Sequence, residues 1–243
     1  MKKMFMAVIA LMMTISASAQ FYIYCSDGNV IKVDSISMIA PSENVDPYNG
    51  HEYVDLGLSV KWATCNVGAS KPEEYGDYFA WGETQPKTTY DWSTYKWCNG
   101  SYNTLTKYNN SSSYGTVDNK TQLELSDDAA RANWGGSWRM PTDAELTELR
   151  EQCTWTWTTQ NGVYGYKVTS NRYGYRNKSI FLPAAGCRRD GSLYGAGSGG
   201  LYCSGSLLMD SPRYAYYLHF GSVNVGWYDY YRYFGFTVRP VCQ

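Results

Sequence analysis

The chain holds only two histidines, His51 and His219, and none of its seven cysteines stands in a Cys-x-x-Cys pair. A structural zinc site is therefore not expected, and no metal or cofactor is assigned. Basic runs are also missing. Lys and Arg total 21 against 22 Asp and Glu, which removes nucleic acid and anionic membrane surfaces as natural partners. Beyond the first residues no apolar stretch approaches the roughly 20 residues of a membrane span, so direct membrane insertion is not expected. The glycines of "GAGSGG" at 195–200 are followed by neither a lysine nor a helix, so they form no phosphate loop and are read as a flexible loop. No Ser-His-Asp pattern or metal-ligand spacing stands out. The odd cysteine count leaves at least one thiol unpaired even in an oxidising compartment. Buried, unpaired thiols are expected for several, with Cys65 and Cys153 near the core beside Trp62 and Trp155.

What is present begins with MKKMFMAVIALMMTISASAQ. Two lysines, a short apolar stretch and Ala17-Ser18-Ala19 resemble a secretory signal peptide over 1–19, cut before Gln20. The mature protein is then exported, to a periplasmic, outer-membrane-associated or extracellular place. Residues 20–40 alternate apolar and polar around Asp27-Gly28, which predicts a β-hairpin. Pro41 to Gly50 is polar with two prolines and is read as a linker, so the main domain is expected over 51–243.

Within that domain the sequence predicts two short helices. Ser126-Asp127-Asp128 caps the first, DDAARANW, which Gly135-Gly136 ends. Thr142 followed by Glu145 is a capping box for the second, with Leu146, Leu149 and Cys153 on its inner face. Asp143, Glu145 and Glu148 are there as capping and solvated charges rather than as catalytic carboxylates. YVDLGLSVKWATCNVG reads as a strand pair, YGDYFAWGE as a further β segment, and 99–121 as a long surface loop. TWTWTT, GYKVTS, SIFLPAAG, AYYLHF and FGFTVRPV read as short strands. The class is α+β.

The blocks YVDLGLSVKWATCNVG, GDYFAWGE, WRMPTDAELTEL, GYKVTS, SIFLPAAG and FGFTVRPV resemble, in that order, the Fibrobacter succinogenes major paralogous domain family. That family is similar to the formylglycine-generating-enzyme branch of the C-type lectin fold. The resemblance implies a C-type lectin-like fold of small antiparallel sheets and long irregular loops. It also implies that the chain ends pair, with 54–62 and 234–241 in one sheet. Residues 187–241 resemble the variable region of proteins diversified by retroelements in gut Bacteroidetes, with the variable part at 187–234. On that likeness Trp227, Arg232, Gly235 and Arg239 are fixed residues between diversified ones. Cys203 departs from the pattern, which commonly has Trp there. The enzyme relatives use two cysteines. Cys187 and Cys203 are the nearest counterparts, but no matching motif surrounds them, so the chain is not expected to be an enzyme.

The residues themselves point the same way. In GWYDYYRYF consecutive positions are aromatic or polar, whereas a core strand would use Val, Ile or Leu on its inner face. Tyrosine at 24 copies is more than a core requires. Rigid tyrosines interleaved with Ser, Gly and Asn are what antibody-like surfaces use. The bland alternative is a Tyr-rich edge packed on its own sheet. In YAYYLHF, period two predicts Tyr214, Tyr216, Leu218 and Phe220 buried, with Tyr217 and His219 outward. The expected ligand-binding patch comprises Tyr194, Leu201, Ser206, Leu207, Tyr217, Asn224, Tyr228, Asp229, Tyr230, Tyr231, Tyr233 and Phe234. Its partner would be a macromolecule, protein or glycan, at a cell or phage surface. A carbohydrate-binding or structural cell-surface domain is the alternative. The Glu-Pro-Asn and Gln-Pro-Asp motifs of calcium-dependent lectins are absent.

Overall fold

A computed structural model describes residues 21–24, 30–33 and 46–243. The signal segment, Cys25, the Asp27-Gly28 turn and residues 34–45 lie outside the described residues. The chain divides into two units, Met1–Val45 and Asp46–Gln243. In the first, β1 (Phe21–Tyr24) and β2 (Val30–Val33) pair antiparallel with Phe21 opposite Val33.

The second unit begins inside the expected linker. Asp46 accepts from the N–H groups of Tyr48 and Gly50, Pro47 O accepts from Ser137 N, and Tyr48 O accepts from Trp138 Nε1 at 2.7 Å. These bonds make 46–50 part of the domain.

Its elements run β3 (Tyr53–Val54), β4 (Lys61–Ala63), α1 (Ala129–Trp134), α2 (Asp143–Gln152), β5 (Cys153–Gln160), β6 (Val163–Ser170) and β7 (Ser179–Pro183). There follow β8 (Cys187–Arg189), β9 (Ser192–Tyr194), β10 (Gly199–Leu207), β11 (Tyr214–Gly221), β12 (Val225–Tyr231) and β13 (Val241–Cys242). The sheets are β13-β4-β3, β5-β6-β7, β8-β9 and β10-β11-β12, all antiparallel. This is an α+β architecture. Among the described residues no helix is long and apolar enough to cross a membrane.

Helix α2 forms as its capping box dictates: Thr142 Oγ1 accepts from Glu145 N, and Glu145 accepts from Thr142 N. Arg139 adds a two-pronged clamp on Glu145 at 2.7 and 2.5 Å. Leu146 and Leu149 are buried, but Cys153 already belongs to β5. The alternating Thr and Trp residues after it favour the strand.

Within the 46–243 unit the C-terminal β13 pairs with β4 near its start, Val241 opposite Trp62. The paired stretch is shorter than expected. Residues 236–240 follow the 63–79 segment through isolated contacts: Phe79 and Phe236 exchange both backbone bonds, while Val67 N donates to Val238 O and Ala63 N to Pro240 O. Pro240 has no N–H to give, which interrupts a continuous ladder.

Residues 99–121 form a loop that is exposed or half-exposed over most of its length, but its middle turns into the core. Leu105, Tyr108 and Asn109 are fully buried, and Tyr108 takes a left-handed φ of 58°. Asp118 holds that turn by accepting from the N–H groups of both Tyr108 and Asn109 at 2.9 Å. The polar composition hid a wall of the core.

That wall encloses Arg232, which is completely buried. It donates to Tyr95 Oη, Tyr108 O and Pro212 O at 2.9 Å each, and to Lys107 O at 3.1 Å. Its guanidinium also lies over the rings of Trp81, Tyr95 and Tyr108. Arg239 is caged similarly by Asn66 Oδ1, Ala63 O, Thr64 O and Phe181 O. Carbonyls and ring faces, not carboxylates, offset the cost of burying these charges.

A charged lattice braces the Arg232 cage. Lys107 Nζ donates to Glu124 and Asp127, Asp127 accepts from Tyr108 Oη at 2.6 Å, and Lys120 donates to Glu124. Lys107 and Lys120 hold the Glu124 carboxyl at a pKa of about 2. Glu145 is also depressed: burial opposes its ionisation, but Arg139 and the Thr142 N–H outweigh it. A carboxylate depressed on folding stabilises above its unfolded value and loses that contribution as pH falls through the folded value. Urea unfolding should therefore show stability falling from about pH 4 toward about pH 2. A flat profile there would contradict the lattice.

All six described cysteines are unpaired. Cys98, Cys153, Cys203 and Cys242 are buried, while Cys65 and Cys187 are half-exposed. Cys65 departs from the core placement expected of it. It lies past the end of β4, lining a cavity of about 510 Å³ with His51, Glu52 and Trp134. Burial pushes the Cys153 thiol up to about 11 and the Cys203 thiol higher. Among these six, alkylation of the native protein should mark Cys65 and Cys187 only, and denaturation should release the other four. Rapid native labelling of Cys203 would contradict the packing.

Candidate ligand-binding surface

The surface is built on one hairpin. Gly221 N donates to Asn224 O at 3.1 Å, closing the turn between β11 and β12. From that turn the register is fixed: Phe220 opposite Val225, Leu218 opposite Trp227, Tyr217 opposite Tyr228, Ala215 opposite Tyr230 and Tyr214 opposite Tyr231. On the other side β10 sets Leu201 opposite His219, Tyr202 opposite Leu218 and Cys203 opposite Tyr217. Partners across a sheet share a face.

Both faces of the sheet are therefore used near β10. One carries Tyr202, Leu218, Phe220, Val225 and Trp227 into the cluster with Leu146, Leu149 and Trp62. The other carries Leu201, Cys203, Leu207, Ala215 and Tyr217 against Phe236, Val238 and Trp138. This corrects five of the expected patch residues. Leu201, Leu207 and Tyr217 are core, because β10 and β11 are covered on both sides. Ser206 is buried as a clamp on α2: its Oγ donates to Asp143 Oδ1 at 2.8 Å and accepts from Asp143 N and Gln122 Nε2. Phe234 is buried beneath Tyr230 and Tyr233. The expected β11 alternation holds for Leu218 and Phe220 but not for Tyr214 and Tyr216, which are half-exposed.

Cover ends at β12, the sheet's last strand, and there the aromatics emerge. Tyr194, Asn224, Tyr228 and Asp229 are exposed; Tyr230, Tyr231 and Tyr233 are half-exposed. Their rings form a ribbon. His219 meets Tyr228 edge-on at 4.7 Å, and Tyr228 lies 6.5 Å from Tyr230. Tyr230 stacks on Phe234, which contacts Tyr233 and Tyr231. Tyr231 stacks on Tyr214 at 4.8 Å and on Tyr233 at 5.5 Å, and Trp92 stands against both Tyr231 and Tyr233. Arg189 joins Tyr194 to the ribbon by lying over that ring at 4.8 Å and over Phe234 at 5.9 Å. Asn224 sits apart at the hairpin tip, next to Val223, which is 91% exposed.

Trp92, Arg189, Arg213, Tyr214 and His219 belong to this surface and were not expected in it. The register of the hairpin could have found Tyr214, because it stands opposite Tyr231. Trp92 arrives from a distant loop and left no local signal. Arg213 extends the ribbon across Tyr214, Tyr114 and Tyr102.

The phenols of Tyr214, Tyr230 and Tyr233 are held protonated. Burial raises the pKa of Tyr230 and Tyr233, and a hydrogen bond with Tyr231 raises that of Tyr214. Each ring thus offers a flat apolar face with a neutral hydroxyl. Beneath the ribbon, Gly235 fits only as glycine, since a Cβ there would stand 2.5 Å from the Tyr90 ring. Trp227 is half-buried, packed on the Leu218 side and T-shaped to Tyr216.

Tyr217 Oη is fully buried and has no hydrogen-bond partner among the described residues. Burial accordingly drives its pKa well above the ordinary value. Removing an unpaired buried hydroxyl relieves its desolvation cost, so Tyr217→Phe should raise stability by about 1 kcal/mol in urea unfolding. A loss of similar size would show that the hydroxyl is satisfied.

Among the described residues no three His, Cys, Asp or Glu side chains are grouped to hold a metal ion. Cys203 is enclosed with its thiol held protonated, so it offers no nucleophile. No family model, curated protein or solved structure matches the chain.

Proposed function

We propose that this chain is an exported, non-catalytic binding protein. It displays the aromatic ribbon around β12 on a C-type lectin-like scaffold and uses it to hold a macromolecular ligand at a cell or phage surface. The observation that carries this is the division of the 226–239 segment. Arg232, Gly235 and Arg239 are locked into the core, while Tyr228, Asp229, Tyr230, Tyr231 and Tyr233 between and before them reach solvent. A continuous exposed aromatic patch on a rigid frame is what interaction sites look like.

The same division suits a retroelement-diversified region, in which framework residues stay fixed and surface residues vary. The five buried members named above belong to the frame on this reading. Sequencing the DNA that flanks the gene tests the diversification. The expected result is a second copy of codons 188–234 differing only at adenines, beside a reverse transcriptase. A locus without that copy removes diversification and leaves the binding surface to be judged separately. Binding is tested by staining intact bacterial cells and immobilised phage with the labelled protein. Cells or phage stained by the parent should lose the stain with Tyr228→Ala; an unchanged stain would end the reading.

A further inference from the structure

The hydrogen-bond parity of the hairpin shows what lies along the outer side of β12. Gly221 N donates to Asn224 O and Arg232 N to Arg213 O, so these are bonded pairs at the two ends of the ladder. Bonded and non-bonded pairs alternate in an antiparallel ladder. The residues opposite each other at 219/226, 217/228 and 215/230 are then the bonded pairs between. Val225, Trp227 and Asp229 fall on the alternate positions, so their N–H and C=O groups point away from β11. Among the described residues none of these groups has a hydrogen-bond partner.

An open edge of this kind is a template for another strand, and proteins usually blunt it with proline, lysine, a bulge or short length. The seven residues of β12 contain no proline and no lysine, and the β12 register runs unbroken. The irregularity of the sheet lies in β10, between Cys203 and Leu207. Aromatic rings flank the edge on both faces: Trp227 and Tyr231 on one, Tyr228 and Tyr230 on the other. Two charges near it are left without ion pairs among the described residues, the Asp229 carboxylate and the Arg213 guanidinium. An incoming chain with a basic side chain beside Asp229 and an acidic one toward Arg213 would complement both.

We propose that the ligand of this surface is a polypeptide segment bound in extended form as a fourth strand on β12. Its main chain pairs with Val225, Trp227 and Asp229, and its alternate side chains lie against the ribbon. This rests on the reading of the ribbon as a binding surface, and narrows the ligand class from macromolecule to peptide. Main-chain pairing supplies affinity in such complexes, and pockets for alternate side chains supply selectivity.

The probe is a phage-displayed library of random dodecapeptides, panned on the full chain, with a glycan array run in parallel. Peptides should be enriched on the parent and not on Asp229→Pro, whose ring removes an outward N–H and blocks the edge. Proline is tolerated where an edge strand's N–H faces solvent, so the variant should keep its fold, which a thermal melt verifies. Against a selected peptide, Asp229→Pro should bind at least about tenfold more weakly than Asp229→Ala, which keeps the N–H. N-methylation at every second residue of the peptide should cost about tenfold as well, with the intervening positions nearly silent. Equal effects at all peptide positions, or equal binding by the proline and alanine variants, would overturn strand addition. Loss with Tyr228→Ala alone would keep the binding surface and still reject the edge. Enrichment on the glycan array only, or no peptide enriched over the Asp229→Pro control, also overturns it. So does a dimer that Asp229→Pro dissociates, which would make a second copy the occupant.

Discussion

Arg232→Met is expected to cost the 46–243 unit about 4 kcal/mol of stability, the largest single loss on this surface's frame. The reason is geometric. Four oxygens from four separate residues point at one guanidinium: Tyr95 Oη, Tyr108 O, Pro212 O and Lys107 O. Methionine approximates the stem, but leaves three main-chain carbonyls in the interior without donors. Each stranded carbonyl costs about 1–3 kcal/mol. Lysine should not rescue. Its single nitrogen cannot satisfy a planar fork, nor stack flat on Trp81 and Tyr108. Urea denaturation of both variants measures this. A loss below about 1 kcal/mol for Arg232→Met would mean that the cage relaxes or admits water.

The second large effect concerns binding. Tyr228→Ala should weaken binding to whichever cell or phage the parent stains by about 2 kcal/mol, about thirtyfold. Tyr228 is 43% exposed and its ring meets the His219 and Tyr230 rings at the ribbon, so its truncation should move stability by less than about 0.5 kcal/mol. Tyr230 is a less clean probe than its sequence position suggests. Its ring packs on Phe234 at 5.8 Å and on Phe236 at 5.7 Å, so Tyr230→Ala should lower binding and stability together. Trp227→Ala should act mainly on the fold, because that ring seals the Leu218 side of the sheet. Binding titrations paired with melts separate the three. Intact binding by Tyr228→Ala would remove the ribbon from the interface.

Local rules made part of this legible. The capping box at Thr142–Glu145 named α2 to within a residue, because side-chain and main-chain donors there pair within one turn. TWTWTT and GYKVTS marked β5 and β6 but not their full length, because their β-branched and aromatic residues suit strands. The aromatic crowding at 226–236 marked the segment in which tyrosines reach solvent along β12. What the sequence hid depends on what covers each face. Period two in 214–220 distinguishes two faces of a strand but not which is outward, and here both are covered near β10. Tyr217 and Leu201 were therefore misplaced as surface. The Asn-, Ser- and Thr-rich composition of 99–121 matches its mostly solvated surface and conceals the buried Leu105, Tyr108 and Asn109. Two of its carbonyls, Lys107 O and Tyr108 O, are invisible to composition and supply half of the Arg232 cage. Trp92 reaches the ribbon over a sequence separation that no local pattern spans.

The account rests on a separation between frame residues and surface residues in one short segment, and one measurement addresses it directly. Codons 194, 224, 228, 229 and 231 are randomised together in one displayed library, and codons 217, 232, 234, 235 and 239 in another. Protease resistance is then read clone by clone. Most clones of the first library should resist as the parent does, and almost none of the second should. If the first library is depleted as severely as the second, the tyrosines are holding the fold together, and the binding surface is contradicted.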